Sequence, residues 1–205
     1  MSAFLCGAAE VGGATPRDTM KEHLLTSIRI TAVLLAITCG IYPALVWAIG
    51  QLAFHDQANG SLITRNGKVI GSELIGQEFT SERFFHSRPS AASYDGSAST
   101  GTNLGPTSKK LRDSIAAAVK SFDVQHNVPA DAVTSSGSGL DPHISPANAY
   151  AQADRVARAN AIPVEVIRSM IAAHTEDRLL GIYGEPRVNV LQLNLDLLAR
   201  GKARV

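Results

Sequence analysis

Hydrophobic residues are distributed very unevenly along the chain. Between Ile30 and Phe54 there are 25 consecutive residues without Asp, Glu, Lys or Arg. An α-helix rises about 1.5 Å per residue, and roughly 20 apolar residues cross the hydrocarbon core of a bilayer. The core helix of a soluble domain rarely goes so far without a charge, and the apolar part of a secretory signal peptide is shorter. We therefore predict a transmembrane helix over residues 28–54.

Tyr42 and Pro43 lie near the middle of this run. Proline lacks the backbone N–H and tends to kink a helix. In lipid, the carbonyl that loses its partner needs another, which neighbouring helices can supply. The polar side chains Thr31, Thr38 and Gln51 also favour a helix that packs against other transmembrane helices.

The charges on either side of the run predict its orientation. Three basic residues, the last of them Arg29, precede it, and after His55 no Lys or Arg follows until Arg65. Cytoplasmic flanks carry the excess of basic residues. We therefore expect residues 1–27 to be a disordered cytoplasmic extension and residues 55–205 to be an extracytoplasmic, periplasmic domain.

Residues 55–205 show the alternating and helical patterns of a folded domain. Asn66-Gly67 is the preferred pair for a tight hairpin turn between two β-prone runs. Ser145 followed by Pro146 is a strong helix start. Together these patterns predict a mixed α/β (α+β) soluble domain that is rich in helix and has a small sheet. The predicted helices are 109–122 with Ser108 as cap, 146–159, 163–174 and 190–199, and a strand is predicted around Ala132–Ser135.

Composition and charge exclude several classes of protein. The chain has 19 basic and 18 acidic residues, so it lacks the basic surplus of a nucleic-acid-binding protein. Both cysteines, Cys6 and Cys39, precede residue 40. The predicted domain therefore has no disulfide, no cysteine-ligated metal and no thiol nucleophile.

Two polar, glycine-rich segments are the candidates for function. Residues 88–106 form a long Ser/Gly/Ala/Thr segment, and a loop of that length is usually functional or packed on a partner. Thr134–Pro146, with the sequence TSSGSGLDPHISP, contains hydroxyls, a carboxylate and an imidazole. One hypothesis is a membrane-anchored periplasmic serine hydrolase with Ser138 as nucleophile, His143 as base and Asp141 as the residue that orients the base, but the spacing of an α/β-hydrolase elbow is missing. The favoured interpretation is a glycine turn whose side chains bond local backbone, with partner contact as the alternative.

Metal and nucleotide binding receive little support from the sequence. Asp141, His143, His174, Glu176 and Asp177 have suitable side chains for a metal, but their spacing matches no compact ligand motif. His174 falls on the apolar stripe of its helix, which favours a packed, hydrogen-bonded histidine. Neither glycine segment matches the phosphate-binding P-loop pattern. We therefore assign no catalytic residue, no metal ligand and no directly bound cofactor.

Several short motifs, taken together and in order, resemble the C subunit of the Kdp potassium-transporting P-type ATPase, the KdpC family. The resemblance runs from about residue 28 to 198, which is nearly the whole chain outside the N-terminal extension. The motifs are Tyr42-Pro43, Gln57–Leu62, Gly71–Gln77, Phe85–Ser90, Thr102–Pro106, Thr134–Pro146, His174–Glu176 and Gly184–Leu191.

The resemblance implies a bacterial inner-membrane complex for potassium uptake. Its other members are a channel-like potassium-binding subunit, a P-type subunit that hydrolyses ATP and a small single-helix subunit. The family's C subunit is described as a catalytic chaperone that raises ATP affinity, so ATP and potassium belong to the complex. The positions expected to have structural or partner-contact roles are Asn103, Gly105, Ser136, Gly137, Ser138, Gly139, Asp141, His143, Arg187 and Asn189.

Overall fold

A computed structural model of the chain describes residues 16–122 and 127–202. The chain divides after Ala58 into two compact units, Met1–Ala58 and Asn59–Val205. The first unit consists of consecutive helical segments. They are helix α1 (Pro16–Leu35), a π-helical segment (Ala36–Ile41), helix α2 (Tyr42–Ala53) and the short helix α3 (His55–Ala58).

The stretch Met20–Ala53 is long and apolar enough to cross a membrane. Its 34 residues correspond to roughly 50 Å of helix, more than the roughly 30 Å of a bilayer core. None of its hydrophobic window is buried against the rest of the chain. Large apolar side chains between Met20 and Phe54 are 47–88% exposed. This surface needs an apolar environment that the chain itself does not provide.

The π-helical segment lies directly before Tyr42-Pro43. Proline at position 43 has no N–H to give to the carbonyl four residues earlier. A π-helix shifts the hydrogen bonds by one residue, and the Tyr42 N–H accordingly donates to the Ile37 carbonyl. The Thr38 hydroxyl donates to the Leu34 carbonyl at 2.7 Å. The helix thus accommodates the proline through a local change in the register of its hydrogen bonds.

The predicted disorder of residues 1–27 is wrong for residues 16–27, since α1 begins at Pro16. Proline is favoured at the first position of a helix. Residues 20–25 are mostly good helix formers, and a helix that is already nucleated extends at little cost. Residues 1–15, which also belong to this prediction, lie outside the described part of the chain.

The second unit begins with a β-hairpin. Strand β1 (Leu62–Arg65) pairs antiparallel with strand β2 (Lys68–Ser72). Asn66 and Gly67 form the turn with φ angles of 53° and 73°. Positive φ at both positions is the geometry of a type I′ turn, so the hairpin predicted from Asn-Gly is confirmed.

The four predicted helices are confirmed to within a few residues. The Ser108 hydroxyl accepts a hydrogen bond from the Leu111 N–H, and the Ser145 hydroxyl accepts one from the Asn148 N–H. Both serines therefore cap their helices as expected. The helices are α4 (Lys109–Ser121), α6 (Pro146–Asn160), α7 (Val164–Ala173) and α8 (Val190–Lys202).

The strand predicted around Ala132–Ser135 is wrong, because the first two residues of this segment belong to the short helix α5 (Ala130–Val133). Pro129 precedes this helix, and Asp131 lies in its first turn, where a carboxylate is favourable. A three-stranded antiparallel sheet instead brings together three very short strands in the order β3-β5-β4. They are β3 (His143–Ile144), β4 (Thr175–Glu176) and β5 (Arg187–Asn189).

The core of the second unit lies where α6, α7 and α8 meet this sheet. Helix α6 contributes small residues, which allow close packing against α7. The predicted class, a helix-rich α+β domain with little sheet, is confirmed. Core residues with at most 2% exposure include Phe85, Ile144, Ala149, Ala153, Val156, Ile167, Met170, Ile171, Val188, Leu193 and Leu197.

Candidate functional site

Two polar segments face each other on the second unit, and we call residues 88–101 and 135–141 together the serine–glycine clasp. Backbone hydrogen bonds join the segments, with Thr100 N donating to Ser138 O and Ser136 N donating to Pro89 O, both at 3.0 Å. The Ser90 hydroxyl donates to the Gly139 carbonyl at 2.6 Å. These hydrogen bonds fix residues 88–101, which have no regular secondary structure, to residues 135–141.

Glycines allow the two backbones of the clasp to approach closely. Gly139 has a φ of +71°, and a Cβ there would lie 2.7 Å from the Thr100 carbonyl oxygen. A Cβ at Gly101 would lie 2.8 Å from the Gly137 carbonyl oxygen. These separations are too short for any side chain, so both positions require glycine for steric reasons, and the positive φ of Gly139 adds a conformational reason there.

An ion pair between Arg88 and Asp141 joins the two segments of the clasp. Arg88 Nη1 donates to Asp141 Oδ2 at 3.2 Å, and Arg88 Nη2 donates to the Ser135 carbonyl at 3.4 Å. The other Asp141 oxygen accepts the His143 N–H at 3.0 Å and lies 3.6 Å from His143 Nδ1. Burial alone would raise the pKa of Asp141, but the His143 hydrogen bonds and the Arg88 charge outweigh it, and the net pKa is lowered.

The geometry around Ser138 does not assemble a hydrolase. Its hydroxyl accepts the Leu140 N–H at 3.1 Å and lies 3.2 Å from the Ser136 hydroxyl. Within the described ranges, no hydrogen bond joins Ser138 to His143, although a nucleophile needs contact with its base. Ser138 stabilises its own turn, which is the structural interpretation drawn from the sequence.

The ten candidate positions do not converge on one place. Six of them, Ser136–Gly139, Asp141 and His143, lie in or beside the clasp. Asn103 and Gly105 are exposed in the outer part of the long loop, where Asn103 has a φ of 52°. Arg187 is exposed, and its Nε donates to Glu176 Oε2 at 2.9 Å. Asn189 is buried, donating to the Glu73 carbonyl and accepting the Gln192 N–H.

The residues considered for a metal are also separated. Between residues 16 and 202, leaving out 123–126, no group of three or more His, Cys, Asp or Glu side chains is placed to hold an ion. His174 is half-buried, and its Nδ1 lies 3.0 Å from the Met170 carbonyl oxygen. The prediction of a packed, hydrogen-bonded histidine is therefore confirmed.

Two buried side-chain amides, which the sequence patterns did not predict, bind the backbone just before the clasp begins at residue 88. Asn194 of α8 accepts the Phe85 N–H and donates to the Phe85 carbonyl, both at 2.9 Å. Gln152 of α6 makes the same pair of bonds with His86, at 2.8 and 3.1 Å. The two side-chain amides thus satisfy the backbone N–H and carbonyl groups of Phe85 and His86, as a neighbouring strand would. Their signal in the sequence is an amide on an otherwise apolar helical face.

An open cleft of about 820 Å³ lies next to Gln152. Its wall contains both acidic and basic groups, among them Glu82, His86 and Arg155. Burial, and then the Arg155 charge, lower the pKa of His86. The cleft therefore favours the neutral form of that imidazole in the folded state.

An apolar helix of membrane-spanning length followed by a folded unit is the arrangement of single-span anchored proteins. A family model described as "KdpC: K+-transporting ATPase, c chain" matches residues 24–199. Similar curated proteins bear the name potassium-transporting ATPase KdpC subunit. The one from Gemmatimonas aurantiaca is 52% identical over 185 residues, covering 87% of this chain and 93% of its own. Those from Koribacter versatilis and Mycobacterium tuberculosis are each 49% identical, covering 87% of this chain and 95% and 98% of their own.

The chain belongs to the KdpC family. It is an accessory subunit of a potassium-transporting ATPase, a component of that complex rather than its catalytic subunit. The resemblance drawn from the short motifs is confirmed.

Proposed function

We propose that this chain is a single-pass subunit of a bacterial inner-membrane complex for high-affinity potassium uptake, and that it stabilises the complex and raises its apparent affinity for ATP. Its partners are a channel-like potassium-binding subunit, a P-type ATP-hydrolysing subunit and a small single-helix subunit. The single observation that carries the proposal is the family match over residues 24–199, which includes the apolar helix.

The proposed orientation places the N-terminus in the cytoplasm and residues 55–205 outside. The support is the cluster of basic residues before the apolar run and their absence between Ile30 and Thr64 in the sequence. In this orientation the folded unit cannot reach a cytoplasmic ATP site. An effect on ATP affinity must then be a coupling free energy transmitted through the helix and neighbouring subunits. ATP and potassium are accordingly ligands of the complex and not of this folded unit.

Purified complexes with and without this chain would test the proposal. The complex that lacks the chain should show a higher KM for ATP and a lower yield of assembled particles. Cells without the chain should grow poorly when potassium is scarce. An unchanged KM together with unchanged assembly would contradict the proposal.

A Ser138→Ala variant separates this function from the hydrolase hypothesis. The variant removes the supposed nucleophile together with its hydrogen bonds to the Leu140 N–H and the Ser136 hydroxyl, whereas the backbone groups that join the two segments of the clasp are retained. We expect potassium uptake by the complex to remain intact. Loss of an extracytoplasmic hydrolytic activity, with assembly retained, would instead support an enzyme.

A further inference from the structure

The cleft beside Gln152 is bounded by three parts of the second unit, namely residues 78–94, the C-terminal end of α4 and helix α6. Its volume of about 820 Å³ lies within the range of small-molecule sites. Three of the seven aromatic residues after Asn59 line it, and these are Phe79, Tyr94 and Phe122. Such a concentration of rings in one wall suits an organic ligand with apolar or cationic groups.

Two of these rings are held in place by their own contacts. Ser93 and Tyr94 have φ angles of 52° and 55°, a left-handed conformation that residues with side chains rarely adopt. The Tyr94 hydroxyl donates to the Arg88 carbonyl at 2.7 Å. Phe79 packs against Phe84 with ring centroids 5.7 Å apart. Because the Tyr94 hydroxyl is already bonded, this residue offers its aromatic ring to the cleft.

The basic groups of the wall are engaged or lie towards its edge. The Arg155 side chain is only 14% exposed, and one Nη lies 3.8 Å from a Glu82 carboxylate oxygen. Its two Nη atoms donate to the Glu82 carbonyl at 2.7 Å and to the Gln152 amide oxygen at 2.6 Å. Arg158 is exposed and also borders a second depression beside the turn between α6 and α7. The charge of Arg155 is thus balanced within the wall.

The acidic group Glu78 is in a different position from Glu82. It is exposed, and no Lys, Arg or His of the described residues forms an ion pair with it. Burial, and then the negative charge of Glu78, raise the pKa of Tyr94, so this carboxylate acts on the ring electrostatically. Helix α4 ends at Ser121 in the same wall, and its last carbonyls add partial negative charge. These groups attract a cation to the aromatic side of the cleft.

The same groups disfavour an anionic ligand. A phosphate or carboxylate group would lie near Glu78 and Glu82 and beside the negative end of α4. Anion sites instead use backbone N–H groups at a helix N-terminus or basic side chains that bind the anion directly. His86 adds no positive charge near neutral pH, because burial and the Arg155 charge lower its pKa.

We propose that this cleft binds a small organic ammonium ion. Glu78 supplies the opposite charge, and the rings of the wall supply cation–π contacts. Quaternary ammonium compounds belong to this class, since their charge is spread over methyl groups that a ring face accommodates without hydrogen bonds. The inference uses only the second unit and does not depend on the proposed function.

Isothermal titration calorimetry of the full chain in mild detergent tests the site, with choline as the probe. We expect a Kd on the order of 1 mM, and no binding of the uncharged isostere in which carbon replaces the nitrogen of choline. The affinity for choline should be the same in sodium chloride and in potassium chloride. Equal binding of choline and its isostere, weaker binding of choline in potassium chloride, or no binding at about 20 mM choline would each overturn the proposal.

Two pairs of variants test the residues themselves. E78Q removes the charge and should weaken choline binding about fivefold, whereas E165Q, on α7 and outside the cleft, should leave it unchanged. F122L removes a ring from the wall and should cause a similar loss. Its control is Y150L, which alters an aromatic residue that is 43% exposed on α6 but outside the cleft.

The thermal unfolding midpoint of each variant checks that its fold is retained. Because Glu78 is exposed, we expect E78Q to keep the midpoint of the unaltered chain even if F122L does not. An unchanged choline affinity of folded E78Q would overturn the proposal, as would equal losses in E78Q and E165Q.

Discussion

The apolar helix and the core of the second unit contain the same kinds of side chain in opposite surroundings. Ile171 of α7 is completely buried, whereas Ile41, directly before α2, is 65% exposed. Burial of apolar surface contributes about 25 cal/mol per Å². The core of the second unit obtains this stabilisation from its own chain. The apolar window of the helix obtains none of this stabilisation from its own chain, because none of that window is buried there.

Charges placed within the helix should have the largest effect. L34R combined with L45R puts two guanidinium groups into the predicted bilayer core, at a cost of about 2.5–3.5 kcal/mol each near the centre of a span. We expect the variant to be extracted from membranes by alkaline carbonate or degraded. M20R, at the polar end of the same helix, is the control and should remain membrane-bound. Retention of the double variant in the carbonate-washed pellet would contradict the claim that the helix and the core of the second unit lie in different surroundings.

A core substitution should weaken the second unit without affecting the helix. Ile167 is fully buried, and I167A should lower the free energy of unfolding by about 2–5 kcal/mol. I182A removes the same atoms from a side chain that is 74% exposed, and the change should stay within about 0.5 kcal/mol. Denaturant unfolding of the full chain in detergent measures both. Similar losses for the two variants would show that the core is misplaced.

The clasp should be sensitive to a single methyl group. Gly139→Ala forces a Cβ to within 2.8 Å of Thr100 O and Ala92 Cβ at a positive φ, and we expect a loss of about 1–3 kcal/mol. Gly105→Ala is the control, since no atom lies within 4 Å of a Cβ built there. The same unfolding measurement applies. A neutral Gly139→Ala would mean that the two loops are not in close contact.

The smallest effect should be a pH dependence caused by His86. Its pKa is lowered in the folded state, so protonation favours unfolding. This contribution is complete above the unfolded pKa of about 6.5 and is lost as the pH falls through that value towards the folded pKa. Unfolding midpoints should therefore decrease between pH 7.5 and 5.5. H86Q should flatten the decrease, and an unchanged pH profile would contradict the assignment. Asp141, whose pKa is also lowered, loses its contribution in a separate range, below about pH 4.

Local signals predicted much of the fold. Ser108 and Ser145 mark helix starts by chemistry that acts within three residues, and Asn66-Gly67 specifies its own turn. The sheet β3-β5-β4 was missed, because strands of two or three residues show no alternation. The segment at Ala132 was misassigned, because the preceding proline and the Asp131 contacts with Ser145 and Asn148 override weak strand preference.

The candidate site was predictable in composition but not in arrangement. The two glycine-rich segments were identified, yet their contact depends on residues about 40 positions apart, such as Ser99 and Ser138. The amides of Gln152 and Asn194 hold Phe85 and His86 from distant helices. Such pairings are set by tertiary packing, which a local pattern does not encode.

Affinity purification of the intact chain from membranes in mild detergent tests the central claim most directly. The account predicts that the chain resists carbonate extraction and is recovered together with the other subunits of a potassium-transporting ATPase. Recovery from the soluble fraction, or from membranes without any such subunit, would contradict it.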